Sequence, residues 1–130
     1  MPGHTYFDKV WNDHVIQSLD DRTDLLQIDR LILHELGGSQ ALHALNRAGR
    51  RPDSASQIFT VIEHLISTRP GRGPTDSPSP SGLSMLTTTR AEVRRWNLNL
   101  IDHDDARQGI AHVVAPELGI ALPEIGRAHV

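Results

Sequence analysis

The feature that most constrains this chain is a pair of strand-like runs flanking a short helical one, all between Leu25 and Thr68. LLQIDRLILHEL, from Leu25 to Leu36, mixes alternating and continuous apolar residues between turn residues, the pattern of a buried strand. Gly37 and Gly38 are expected to end it and Ser39 to cap a helix over QALHALNRAG, with Ala41, Leu42, Ala44 and Leu45 inward and Gly49 as its stop. Arg50 to Ser56 then lead into a second strand, QIFTVIEHLIST, from Gln57 to Thr68. Strand, helix and strand make a βαβ unit, whose crossover runs the two strands parallel. The expected class is α/β with a mostly parallel sheet.

The second strand carries an acid and a histidine side by side, Glu63 and His64, toward its C-terminal end. That rim is where open α/β sheets place their chemistry, and an adjacent carboxylate and imidazole can pass a proton. The same pair also fits a buried strand that is simply meeting solvent.

Around this unit the chain reads as follows. Thr5 and Asp8 form an approximate capping box for a helix over residues 6 to 18, with Phe7, Val10, Trp11, Val15 and Ile16 on one face and His14 beside them as a packing or hydrogen-bonding residue. Asp20 to Asp24 is a polar turn. RPGRGPTDSPSPSGLS, residues 69 to 84, is expected to be a long loop, either a lid or a surface excursion; as a lid, its Arg69 and Arg72 would suit an anionic substrate. Thr87 to Thr89 should cap a helix from about Arg90 to Trp96, and Leu98, Leu100 and Ile101 a brief strand. GIAHVVAP, from Gly109 to Pro116, reads as a further buried strand with His112 inside it, as a core or a functional histidine. The tail is expected to turn at Leu122 and Pro123.

With 130 residues, 38% apolar and 22% charged, the chain has room for one core. A net charge of −3 without a Lys/Arg cluster argues against nucleic acid and anionic membrane as partners. No apolar run approaches the roughly 18 residues of a membrane span, and MPGHTYFDKVW lacks a secretory pattern, so a cytoplasmic location is expected. Cysteine is absent, which excludes disulfides, a cysteine nucleophile and thiolate-held metal within this chain. The eight histidines show neither HxH nor HExxH spacing, so no self-contained metal site is expected.

Four segments in order resemble the N-terminal part of 3-isopropylmalate dehydratase large subunits, hydro-lyases of the aconitase family. They are TYFDKVWNDHVI, LLQIDRLILHELGGSQAL, FTVIEHLIST and QGIAHVVAPELGIALP, and together they reach from Thr5 to about Leu122. The resemblance implies a partial three-layer α/β/α aconitase-like domain, a single truncated segment over residues 1 to 130. It implies dehydration and rehydration of a small 2-hydroxy diacid of the malate type, in leucine biosynthesis. The family uses a 4Fe-4S cluster as Lewis acid, with histidine–carboxylate pairs moving protons. By the same resemblance, Glu63, His64 and His112 are catalytic and Gln40 in GGSQAL contacts a substrate carboxylate.

The departures are specific. Glu63 stands where the family has aspartate, Leu31 where it has histidine, and Glu124 where it has the glycine of an LPG turn. The family's C-G-D-S-H-T block does not follow; the chain reads IGRAHV instead. No cofactor or metal is therefore expected to be bound by this chain alone, and the chain alone is expected to be inactive. A small dehydratase subunit or a complementing large-subunit chain is the expected partner. The alternative is a non-catalytic remnant or interaction module that associates with a dehydratase subunit. A histidine-based metallohydrolase is the third class.

Overall fold

The computed structural model describes residues 3–121. The turn expected at Leu122 and Pro123 and the Glu124 departure lie outside these residues.

The centre is a three-stranded parallel sheet of Leu31–His34 (β3), Ile58–Val61 (β4) and Asn99–Ile101 (β5), in the order β3-β4-β5. Its side chains alternate with the period of two that a pleated strand imposes. Leu33, Ile58 and Leu98 face one way and meet Leu42 and Val93, while Ile32, Phe59, Val61 and Ile101 face the other and meet Ala111, Val114, Ala115 and Ile120. The first group packs under helices Glu35–Arg47 (α2) and Pro80–Trp96 (α3), the second over helix Ala111–Glu117 (α4). Helices on both faces of a parallel sheet give the three-layer α/β/α arrangement expected.

The βαβ unit forms with shifted boundaries. The run from Leu25 to Leu36 is not one strand: its first two residues belong to a hairpin strand, Thr23–Leu26 (β2), and its last two open α2. Gly37 and Gly38 lie inside α2 and terminate nothing, and Ser39 is buried within the helix and caps nothing. The helix starts early because α2 passes closely over β3; a Cβ on Gly38 would come within 3.2 Å of Leu33 Cβ. Close packing on the sheet outweighs the cost of about 1 kcal/mol per glycine in a helix.

Three further expectations change. The first helix covers only Tyr6–His14 (α1), held by the reciprocal Thr5–Asp8 box, and the chain continues as strand Val15–Asp20 (β1), antiparallel to β2. His14 does bond within the protein, its Nδ1 2.7 Å from the Val10 carbonyl and its Nε2 2.7 Å from Asp29. In the Pro/Ser-rich run, residues from Pro80 onward are helical. Ser79 accepts from the Gly82 N–H and Pro80 sits at the first helical position, where its missing N–H costs nothing. Thr87 to Thr89 are thus mid-helix and not a cap.

The largest correction concerns GIAHVVAP, which is helix α4 and not a buried strand. A short apolar run does not distinguish the two states by periodicity. Tertiary contacts decide it here: the Ala111 N–H donates to the Glu63 carboxylate at 2.7 Å, a cap supplied from another segment. At the other end, Arg30 donates to the Gly119 carbonyl and, at 3.0 Å, to that of Ile120, tying the exit of α4 to the start of β3.

Candidate functional site

The C-terminal ends of β3 and β4 are adjacent in the sheet, with His34 opposite Val61. Each strand delivers a histidine and a glutamate there, in opposite order: His34-Glu35 where β3 becomes α2, and Glu63-His64 two residues beyond β4.

Glu35 is fully buried, and its carboxylate accepts the backbone N–H of Glu63 at 3.0 Å and that of Leu65. It therefore holds the loop after β4 in place from the neighbouring strand. Its own carbonyl lies 3.4 Å from the Thr89 hydroxyl of α3. Glu63 has a side chain only 4% exposed. One of its oxygens takes the Ala111 N–H; the other, Oε1, is buried and lies 3.3 Å from His64 Nδ1. That separation is an ion-pair distance, although the ring is not aligned for a hydrogen bond in this conformation. The His64 side chain is 41% exposed, and its ring stacks on that of His34 with centroids 4.2 Å apart.

The expected site residues thus fall into two groups. Glu63 and His64 stand together at the sheet rim, and the Glu63–Ala111 bond brings the first turn of α4, with the exposed His112 as its second residue, to the same rim. Gln40 is exposed on α2 and lines a cleft between α2 and α3 with Ser39, His43, Ser84, Met85 and Thr88. His34 and Glu35 were not singled out by sequence reasoning. The available signal was the His-Glu dipeptide of LILHEL at a strand end, the mirror image of Glu63-His64.

A second network closes the site from the side. Gln108 donates to the Ile62 carbonyl at 2.8 Å and accepts from Arg72 at 2.8 Å, and Arg72 also reaches the His103 carbonyl at 3.2 Å. Arg72 is therefore half-buried, with one guanidinium nitrogen engaged by the protein. The loop it belongs to is stitched further by Arg90, which donates to the Pro74 carbonyl at 2.6 Å and forms a two-pronged pair with Asp102 at 2.6 and 2.7 Å. Burial acts to raise the Asp102 pKa, but the Arg90 guanidinium and the His103 N–H together hold it below the usual carboxylate value.

The parallel sheet between helices is consistent with a partial aconitase-like domain, and the chain belongs to the aconitase family. The model of that family, described as aconitase family (aconitate hydratase), matches residues 8–126. The chain is similar to 3-isopropylmalate dehydratase large subunit 1 of Bradyrhizobium diazoefficiens, 40% identical over 121 residues that make up 93% of this chain and 25% of that protein. It spans about a quarter of the length of this curated relative. No solved structure matches it.

A thiolate-held iron–sulfur cluster does not fit the residues present. The donors at the rim are imidazoles and carboxylates, and the chain contains no cysteine. What the rim offers by itself is a backed imidazole with an exposed face. Among the described residues no helix is long and apolar enough to cross a membrane.

Proposed function

We propose that this chain forms the N-terminal part of a 3-isopropylmalate dehydratase-like hydro-lyase and contributes proton-transfer groups to a site completed by other polypeptide. Dehydration of a 2-hydroxy diacid takes a proton from one carbon and releases hydroxide, as water, from its neighbour. Imidazoles are the groups here able to give and take protons near neutral pH. His64 is assigned one of these transfers, with Glu63 facing its Nδ1 and stabilising the imidazolium, and His112, at the start of α4, is assigned the other. Gln40 is the amide assigned to a substrate carboxylate. The observation that carries this reading is the double role of Glu63, which caps α4 with one oxygen and faces His64 with the other. Leucine biosynthesis, a cytoplasmic location, a single truncated domain and association with a small subunit all belong to this proposal.

The test is turnover of 2-isopropylmalate, followed through the absorbance of the unsaturated diacid. The chain is assayed alone and with a polypeptide carrying the cysteine-bearing remainder of the family's length, iron and sulfide supplied to both. The chain alone is expected to be inactive and the mixture active, with His64→Ala lowering the mixture's kcat by about 100-fold or more. Turnover by the chain alone contradicts its incompleteness, and an unchanged kcat in His64→Ala contradicts the role of His64.

A second reading, an interaction module that docks on a dehydratase subunit, is favoured by the outer face of α4 and its preceding residue, where Ile110 is 61% and Val113 52% exposed. Among the described residues the outer edges of β3 and β5 are also unpaired. A chain that stays monomeric by light scattering and does not co-elute with either dehydratase subunit removes this reading.

A further inference from the structure

We propose that His34, Glu35 and His64 form a binding site for a single divalent cation of the zinc type. Their ligand atoms, one imidazole nitrogen from each histidine and one carboxylate oxygen, all lie within 4.8 Å of one another. Two imidazoles and a carboxylate are the donor set of open zinc sites, which hold the ion by three protein ligands and leave a position for water or substrate. Zinc–ligand bonds of about 2.0–2.2 Å place tetrahedral donors about 3.3–3.6 Å apart. The stacked rings must therefore part and close in on the carboxylate; His64, the most exposed of the three, has the freedom to make that movement.

Three features prepare the site. Glu35 is buried and fixed by two backbone N–H groups, so its oxygens need no reorganisation, and a carboxylate with about four acceptor positions keeps room for a metal after two hydrogen bonds. Glu63 Oε1, buried and without a hydrogen bond, faces His64 Nδ1. Once the ring turns so that Nδ1–H donates to it, such a carboxylate fixes the tautomer of a metal-binding imidazole and raises the basicity of the other nitrogen, here Nε2. His34 is the last residue of β3, so its backbone is fixed by the pairing with β4.

The absence of HxH and HExxH spacing did not point to this site because the ligands come from two segments joined only by strand pairing. Its donors are nitrogen and oxygen, which separates it from a thiolate-held cluster. The occupant is a borderline divalent ion, because two imidazoles favour zinc, cobalt or nickel over magnesium or calcium.

The test uses the 130-residue chain, freed of metal by chelation and titrated with Co2+, with Zn2+ as competitor. The expected result is one equivalent of Co2+ giving a visible absorption band of low-symmetry four- or five-coordinate cobalt, displaced by one equivalent of Zn2+. His64→Ala, at an exposed position that does not endanger folding, should weaken binding at least 10-fold, and His34→Ala likewise, while His43→Ala, in the cleft between α2 and α3 and outside the three-ligand cluster, leaves it unchanged. Glu63→Gln should weaken it less than either ligand substitution. An octahedral-type spectrum with sub-stoichiometric retention means adventitious surface binding only and overturns the proposal, as does full binding in His64→Ala. A zinc-bound His64 cannot also carry the proton assigned to it above, so the metal-bound chain is a state separate from the hydro-lyase site; the readout is metal binding and not turnover, so the two readings fail separately.

Discussion

Two histidine–glutamate junctions stand side by side at the rim of the sheet, and they use the same two side chains for opposite purposes. At the end of β3 the glutamate is buried and serves the backbone of the neighbouring strand's loop. Beyond β4 the glutamate serves a helix N-terminus and a histidine that is open to solvent. Local composition therefore says little about role. A carboxylate at a strand end is held rigid when backbone N–H groups converge on it, as at Glu35, which fixes it in place for the ion proposed above, whereas Glu63 divides its oxygens between a helix N-terminus and an exposed imidazole.

The sharpest way to break this contrast is to remove the structural member. Glu35→Ala strips both backbone donors of Glu63 and Leu65 of their acceptor inside the core, and unpaired buried donors cost about 1–3 kcal/mol each. A loss of about 3 kcal/mol or more is expected, read as a lower midpoint in urea denaturation. A shift smaller than about 1 kcal/mol would mean that the loop after β4 is held by something else.

This division of labour marks the limit of what was legible in the sequence. The sheet strands around Leu33, Val61 and Leu100 were visible as short apolar runs, the pattern of strands covered on both faces, and the Thr5–Asp8 cap because it is local. The fate of LILHELGG was not: two glycines ordinarily stop an element, and only the close approach of α2 to Leu33 makes Gly38 a helical residue. GIAHVVAP failed for the complementary reason, since its cap comes from Glu63, 48 residues earlier. Of the site, Glu63 and His64 could be placed at the rim by counting along a strand. The partnership with His34 and Glu35 needed the register of β3 against β4, which no single sequence contains.

The next largest effect lies in the network beside the rim. Asp102→Asn removes the charge opposing Arg90 in a partly buried two-pronged pair and should cost about 1–2 kcal/mol. The sign with pH follows from the lowered folded-state pKa of Asp102. Its contribution is complete above the unfolded carboxylate value of about 3.8 and disappears as pH falls through the lower folded value. Wild type should lose this increment on acidification below about pH 4 while Asp102→Asn does not, so the two urea midpoints should converge there. Parallel midpoints down to pH 2 would refute the assignment.

Glu63→Gln tests the intermediate case, a residue with one structural and one chemical oxygen. Its amide oxygen can still accept the Ala111 N–H, so what is lost is the charge beside His64 and at the helix N-terminus, the latter worth about 0.3–1 kcal/mol. A larger loss would move Glu63 into the same structural category as Glu35.

The smallest stability effect belongs to the residue with the largest expected functional one. The His64 side chain is 41% exposed and its contacts are a carboxylate oxygen 3.3 Å away and a stacked ring, neither of which the core depends on. Exposed substitutions of this kind usually fall within about 0.5 kcal/mol. His64→Ala should therefore unfold at nearly the wild-type urea concentration while losing metal affinity, and kcat in the completed enzyme. If it is destabilised as strongly as Glu35→Ala, the imidazole is a packing element of the rim, the two junctions are alike, and the chemical role assigned to the second one falls.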